Sequence, residues 1–159
     1  MTNVARADGM SAGTLTFVGD GLKGALPVAL ARWILEPTPS SLALVGFAAF
    51  LGAIASAFLR FRGGRGVATS VGVWLMLAPL PILIALVVFA AILAISRIVS
   101  LASLGAAMSL PAATAASGAP RQYVLLAIAM AALVLLRHRA NIGRLVRGEE
   151  PRLGARRSG

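Results

Sequence analysis

VATSVGVWLMLAPLPILIALVVFAAILAI, Val67 to Ile95, is the stretch on which the fold turns. It contains no charged residue, and only Pro79 and Pro81 interrupt it. A helix needs roughly 20 apolar residues to cross about 30 Å of hydrocarbon, so the run is long for one upright span and short for two full ones. Proline disfavours helix in the residue before it, which predicts a break at Ala78-Pro79-Leu80-Pro81. Two short spans turning there put Arg65 and Arg97 on one side of a membrane, whereas one long tilted span puts them on opposite sides. The positive-inside bias selects two.

Outward from this run the same pattern recurs. Ser41 to Phe58 and Thr14 to Leu35 precede it, with the helix-breaking Glu36-Pro37-Thr38-Pro39-Ser40 between them. Ser100 to Ala116 and Tyr123 to Leu136 follow, separated by the turn Ser117-Gly118-Ala119-Pro120. The predicted architecture is therefore an all-α, polytopic membrane bundle of about six transmembrane helices, since helices are the open structures that satisfy their backbone groups in lipid. Composition agrees: 58% of the residues are hydrophobic, 13% are charged, and the mean hydropathy is +0.88. Gly46, Ala49, Gly52, Ala53 and Ala57 are small enough to let neighbouring helices approach closely.

Charge and cysteine content narrow the chemistry. With no cysteine, disulfides, thiolate metal sites and a Cys nucleophile are excluded. The net charge of +10 lies between apolar runs rather than in stripes interleaved with aromatics, so it points to membrane topology rather than nucleic acid. Met1 to Gly13 lacks the basic and apolar regions of a cleavable signal peptide. With both ends cytoplasmic, every basic residue except Lys23, Arg32 and Arg121 falls on the cytoplasmic side. The N-terminus, the Gly-rich loop before Val67 and the C-terminal tail then meet at one membrane face.

Three polar segments on that face can carry chemistry. Arg62-Gly63-Gly64-Arg65-Gly66, followed by Thr69, offers convergent backbone N–H groups and guanidinium forks beside a helix N-terminus, a combination suited to phosphate. It lacks the Lys-Ser/Thr ending of a nucleotide-binding P-loop, and a Gly-rich basic loop alone is a weak signal that a plain loop accounts for more simply. In Arg137-His138-Arg139-Ala140-Asn141-Ile142-Gly143-Arg144, continuation of the last helix places His138, Asn141 and Arg144 on one face, with Glu149 one turn further. Any order of arginines would serve to touch anionic lipid headgroups, so His138 and Asn141 are what point beyond that. From composition alone, Ser96-Arg97-Ile98-Val99-Ser100-Leu101-Ala102-Ser103 reads as the capped start of a span, and a functional role for it needs support from elsewhere. Asp20 and Lys23, three apart and so on one helix face, are expected to look inward as an ion pair or as part of a site.

Taken together, these strings resemble the bacterial acyl-phosphate:glycerol-3-phosphate acyltransferase family. FRGGRGVAT, Phe61 to Thr69, is similar to the family's Phe-Lys-Gly-Gly-Lys-Gly-Val-Ala-Thr, and HRANIGRLVRGEE, His138 to Glu150, to its His-x-x-Asn-Ile-x-Arg-Leu-x-x-Gly-x-Glu. SRIVSLASL resembles Arg-Tyr-x-Ser-Leu-x-Ser, with Ile98 in place of Tyr, and GDGLKGALPV resembles an early Asp-x-Leu-Lys-Gly. Thr2, Asn3 and Arg6 look like the tail of a first motif whose head and preceding span are missing. The expectation is a start assigned too late, at a Met inside the motif, with seven spans in the intact protein. Ala53 and Ser56 stand where the family has Gly-His-x-x-Pro, and Arg62 and Arg65 replace lysines, which keeps the charge but exchanges a compact ammonium for a planar fork.

The resemblance implies transfer of a fatty acyl group from acyl-phosphate to glycerol 3-phosphate, the first acylation step of phospholipid synthesis, in a multi-pass protein of the bacterial cytoplasmic membrane. It implies a catalytic set of Ser100, His138 and Asn141. Phosphate binding falls to Thr2, Asn3, Arg6, Gly63, Gly64, Arg65, Gly66, Thr69, Arg97 and Arg144, with Asp20, Lys23 and Glu149 in support. The acyltransferase domain covers residues 1–150 and a basic tail 151–159. The partners are the two substrates and membrane lipids, and no metal, nucleotide or acyl-thioester cofactor is expected. The alternative is a catalytically impaired homologue, or a non-enzymatic transport or scaffold protein that uses its basic face for lipid.

Overall fold

The computed structural model describes residues 10–34, 36–55 and 65–154. Among these, seven helices and no strand are found: α1 (Met10–Ile34), α2 (Pro39–Ala55), α3 (Val67–Leu77), α4 (Pro79–Ser96), α5 (Val99–Ala116), α6 (Arg121–Arg137) and α7 (Arg139–Val146).

The decisive run breaks where its prolines predict. Ala78 takes extended backbone angles, its amide closes α3 on the Trp74 carbonyl, and Pro79 opens α4, where proline's missing N–H costs nothing. The chain turns back rather than kinking, because Val67 and Val71 of α3 line the same cavity as Ile82 and Phe89 of α4. A continuous helix would hold Val67 and Phe89 about 33 Å apart.

The division is unequal. The prolines leave α3 only 11 residues, which cover about 16 Å, half the hydrocarbon thickness. Among the described residues, α4 and α5 are each long and apolar enough to cross a membrane, and the bent pair α6–α7 makes a third. Helix α2 is apolar but 17 residues long, and α1 has 25 residues but carries Asp20, Lys23 and Arg32.

Packing is closest where glycines meet backbone. At Gly72 a Cβ would collide with the Gly21 carbonyl, and at Gly24 with the Thr69 carbonyl, so α1 and α3 are in near contact. Helices α4 and α5 form the most extensive pair, with Gly105 seated against Ile92. Around these, Val28, Phe50, Trp74, Met130 and Val134 form one apolar core.

Two expectations about α1 and α6 change. Lys23 does bind Asp20, at 3.0 Å, yet its side chain is 72% exposed, so the pair does not look inward as a whole. The last helix does not continue through His138. It stops at Arg137, and α7 leaves at an angle of 62°.

Candidate active site

Four segments distant in sequence converge at one end of the bundle: Arg65-Gly66 before α3, the α4–α5 turn, the α6–α7 corner, and the chain after α7. Glycine makes two of these placements possible. Gly66 has φ 76, and a Cβ there would lie 2.7 Å from the Phe50 ring, so both conformation and space require glycine. Its carbonyl accepts the first bond of α3, from Ser70 N–H at 2.8 Å. Gly148, at φ 70, reverses the chain after α7, with Gly148 N–H donating to Leu145 and Glu149 N–H to Arg144 at 2.8 Å. This backbone pattern ends many helices.

The reversal carries Glu150 back beneath α7, where its carboxylate becomes the hub of the cluster. Ser100 Oγ–H, in the first turn of α5, donates to Oε1 at 2.7 Å. Asn141 Nδ2–H donates to the same oxygen, and Arg144 Nε–H donates to Oε2 at 2.7 Å. Ser100, Asn141 and Glu150 are almost wholly enclosed, while Arg144 is 37% exposed. One backbone bond secures the segment further: Leu153 N–H donates to the Arg97 carbonyl at 2.7 Å.

The electrostatics follow from this geometry. Burial alone would raise the Glu150 carboxyl, but the donors on Asn141, Ser100 and Arg144 outweigh it and hold the group below its ordinary carboxylate value. Arg65 is pushed below its usual value, first by burial and then by Arg144 and Arg137, while Glu150 acts the other way. An arginine nonetheless remains a cation at any physiological pH. The cluster is thus cationic around one internal carboxylate, a setting that attracts phosphate.

His138, 1% exposed, sits at the corner with Nδ1 2.8 Å from the Val134 carbonyl. A carbonyl only accepts, so Nδ1 carries the proton and Nε2 is the acceptor in the neutral ring. Ser100 has spent its single O–H on Glu150 and can offer a ligand only its oxygen lone pairs. Asn141 keeps its Oδ1 and a second N–H, and Arg144 keeps its two terminal amino groups.

Of the residues expected at a site, Arg65, Ser100, His138, Asn141 and Arg144 are brought to this end together. Thr69 is 1% exposed and lies where α3 crosses α1. Arg97 adopts φ 58 and contributes its carbonyl to the tail, with its side chain exposed. Asp20 and Lys23 bind each other on α1. Thr2, Asn3, Arg6, Gly63 and Gly64 lie outside the described residues, as does Arg62. Glu149, expected to support the site, instead pairs with Arg147 at 2.7 Å, both more than half exposed. The carboxylate that joins the cluster is Glu150, and the Gly-x-Glu spacing after Arg144 carried that signal.

Comparison with known proteins finds relatives over nearly the whole chain. The family profile described as glycerol-3-phosphate acyltransferase matches residues 1–148. A glycerol-3-phosphate acyltransferase of Trichlorobacter lovleyi is 44% identical over 154 residues, 97% of this chain and 79% of the relative. One from Geobacter sulfurreducens shows the same identity and coverage. The crystal structure of PlsY (YgiH), described as an integral membrane glycerol 3-phosphate acyltransferase in its glycerol 3-phosphate form, superposes with a TM-score of 0.88 at 38% identity, covering 96% of this chain and 76% of that one. Its lysophosphatidic acid form gives 0.87, again at 38% identity, covering 96% of this chain and 78% of that one.

Proposed function

Since this chain belongs to the glycerol-3-phosphate acyltransferase family, we propose that it transfers a fatty acyl group from an acyl-phosphate to the primary hydroxyl of glycerol 3-phosphate. The products are 1-acyl-glycerol 3-phosphate and inorganic phosphate. The bond between acyl carbon and phosphate oxygen breaks, an ester forms at the hydroxyl, and the hydroxyl proton ends on phosphate. The observation that carries this reading is the gathering of Arg65, Ser100, His138, Asn141 and Arg144 at one end of a membrane bundle.

An acyl-phosphate arrives activated, so the site has to hold two phosphates and orient one hydroxyl, a task of proximity and charge stabilisation. Arg65 and the terminal amino groups of Arg144 hold phosphate. Ser100, its proton committed to Glu150, accepts the glycerol hydroxyl and polarises it. His138 Nε2 faces the same task as acceptor or base. The acyl chain lies between helices, against the apolar cavity lined by Val67, Ile82, Phe89, Leu110 and Val134, whose lining also includes Ser103, about one turn from Ser100. Residues 1–150 form the acyltransferase domain, with 151–159 as a basic tail. The protein resides in the bacterial cytoplasmic membrane with this end toward the cytoplasm.

The test is phosphate release by the purified protein in detergent, without added metal, from palmitoyl-phosphate. Release that requires glycerol 3-phosphate and yields the monoacyl product supports the reading. Release without the acceptor, or acyl transfer only from a thioester donor, overturns it. Substitution His138→Gln separates the two histidine roles: a loss of about 100-fold or more in turnover marks a base, and near-wild-type turnover removes that role.

A further inference from the structure

Helix α7 carries a second surface that the site does not use. Its inward side presents Asn141 and Arg144 to Glu150. The bend of 62° turns the helix away from the direction of α6, and its outward side lies open. Arg139 and Arg147 stand about two turns apart on that side, and Val146 beside them is 84% exposed. Leu153 follows at 43% exposure, between the exposed Arg152 and Gly154. A short helix with exposed apolar side chains flanked by arginines is what an interfacial segment presents to a bilayer surface.

The charge of this surface is unequally shared. Arg147 is partly neutralised by Glu149 at 2.7 Å. Arg139 and Arg152 take part in none of the ion pairs found among the described residues, and no acidic residue other than Glu149 and Glu150 lies in the segment. Glu150 is enclosed by its own three donors.

We propose that α7 and the chain through Gly154 dock on the membrane surface, with Val146 and Leu153 in the interfacial layer and Arg139 and Arg152 on the phosphates of anionic phospholipids. Charge complementarity selects the occupant, since a zwitterionic leaflet offers two arginines no net attraction. The docked segment is the one whose Glu150 holds Ser100 and Asn141, so lipid contact and the polar cluster share one element.

The chain has no cysteine, so Val146→Cys carrying an environment-sensitive fluorophore reports on α7 alone. The full chain is placed in phosphatidylcholine vesicles with and without phosphatidylglycerol, each containing chain-brominated lipid. Quenching is expected, stronger with phosphatidylglycerol. An arginine near an anionic surface contributes about 1 kcal/mol, roughly fivefold in the docked ratio, so Arg139→Gln with Arg152→Gln lowers that ratio on the order of 25-fold. Salt at about 0.5 M acts in the same direction. Both positions lie outside the site, and the double variant keeps its turnover in detergent, which separates lost docking from lost folding. A label equally quenched in phosphatidylcholine alone overturns anionic recognition, and a label unquenched in both compositions overturns docking.

Discussion

Replacing Glu150 by alanine is predicted to release the C-terminal segment from the bundle. The substitution removes the acceptor of three donors at once. Two of them, on Ser100 and Asn141, belong to side chains 3% and 2% exposed, so each lost bond leaves a buried polar group that costs about 1–2 kcal/mol. The third, on Arg144, is 37% exposed, and solvent screening limits it to about 0.5 kcal/mol. Together the segment loses about 3 kcal/mol of its anchoring, which at 1.4 kcal/mol per decade multiplies its opening by about 150-fold. The probe is amide hydrogen exchange of Leu153, whose N–H is bonded to the Arg97 carbonyl at 2.7 Å and exchanges only when the segment opens. Glu149→Ala is the internal control: its pair with Arg147 is more than half exposed on both sides, so Leu153 exchange changes less than about threefold. Equal effects of the two substitutions, or an unchanged Leu153 in the Glu150 variant, would refute the hub.

The same hub predicts a pH dependence. Glu150 is depressed in the folded protein, so its contribution is complete above the unfolded glutamate value, roughly pH 4.3, and is lost as pH falls through the lower folded value. Leu153 protection, corrected for intrinsic exchange, stays level above that value and falls on further acidification; a decline beginning near neutrality would contradict the depressed carboxyl. Elsewhere, Gly72→Ala drives a methyl group into the Gly21 carbonyl, an overpacking that costs about 1–3 kcal/mol. Detergent melting followed by tryptophan fluorescence falls by roughly 2–10 °C. Gly52→Ala, with nothing near its Cβ, leaves melting level or raises it, and a Gly72 variant as stable as the parent would mean α1 and α3 are not in contact there.

What was legible in the sequence and what was not divides along a physical line. Hydropathy and proline act locally, so the all-helical bundle, the turn at Ala78 and the shared end for Arg65 and Arg97 all followed from reading residues in order. The unequal lengths of α3 and α4 did not follow, because they depend on where a break divides a run. An interruption at Pro79 leaves 11 residues on one side and 18 on the other, which composition averaged over Val67 to Ile95 does not register. Asp20 and Lys23 show the same limit: spacing placed them on one face, but which face α1 turns to α3 is decided by Gly21, Gly24 and Gly72.

Glu149 and Glu150 make the point most sharply. Counting helical turns from His138 extends an unbroken period past Val146 and arrives at Glu149. Gly148 breaks that period, because a left-handed residue reverses the chain, and beyond it side-chain direction no longer follows from helical spacing. The residue that then faces the bundle is Glu150. Periodicity therefore locates Asn141 and Arg144, which share a helix, and fails one residue beyond its end, where only the spacing of the whole pattern retains the geometry. Because the reversal and the corner at His138 set where Ser100, Asn141 and Arg144 meet Glu150, the site's precision resides in two non-helical points rather than in the spans that support them.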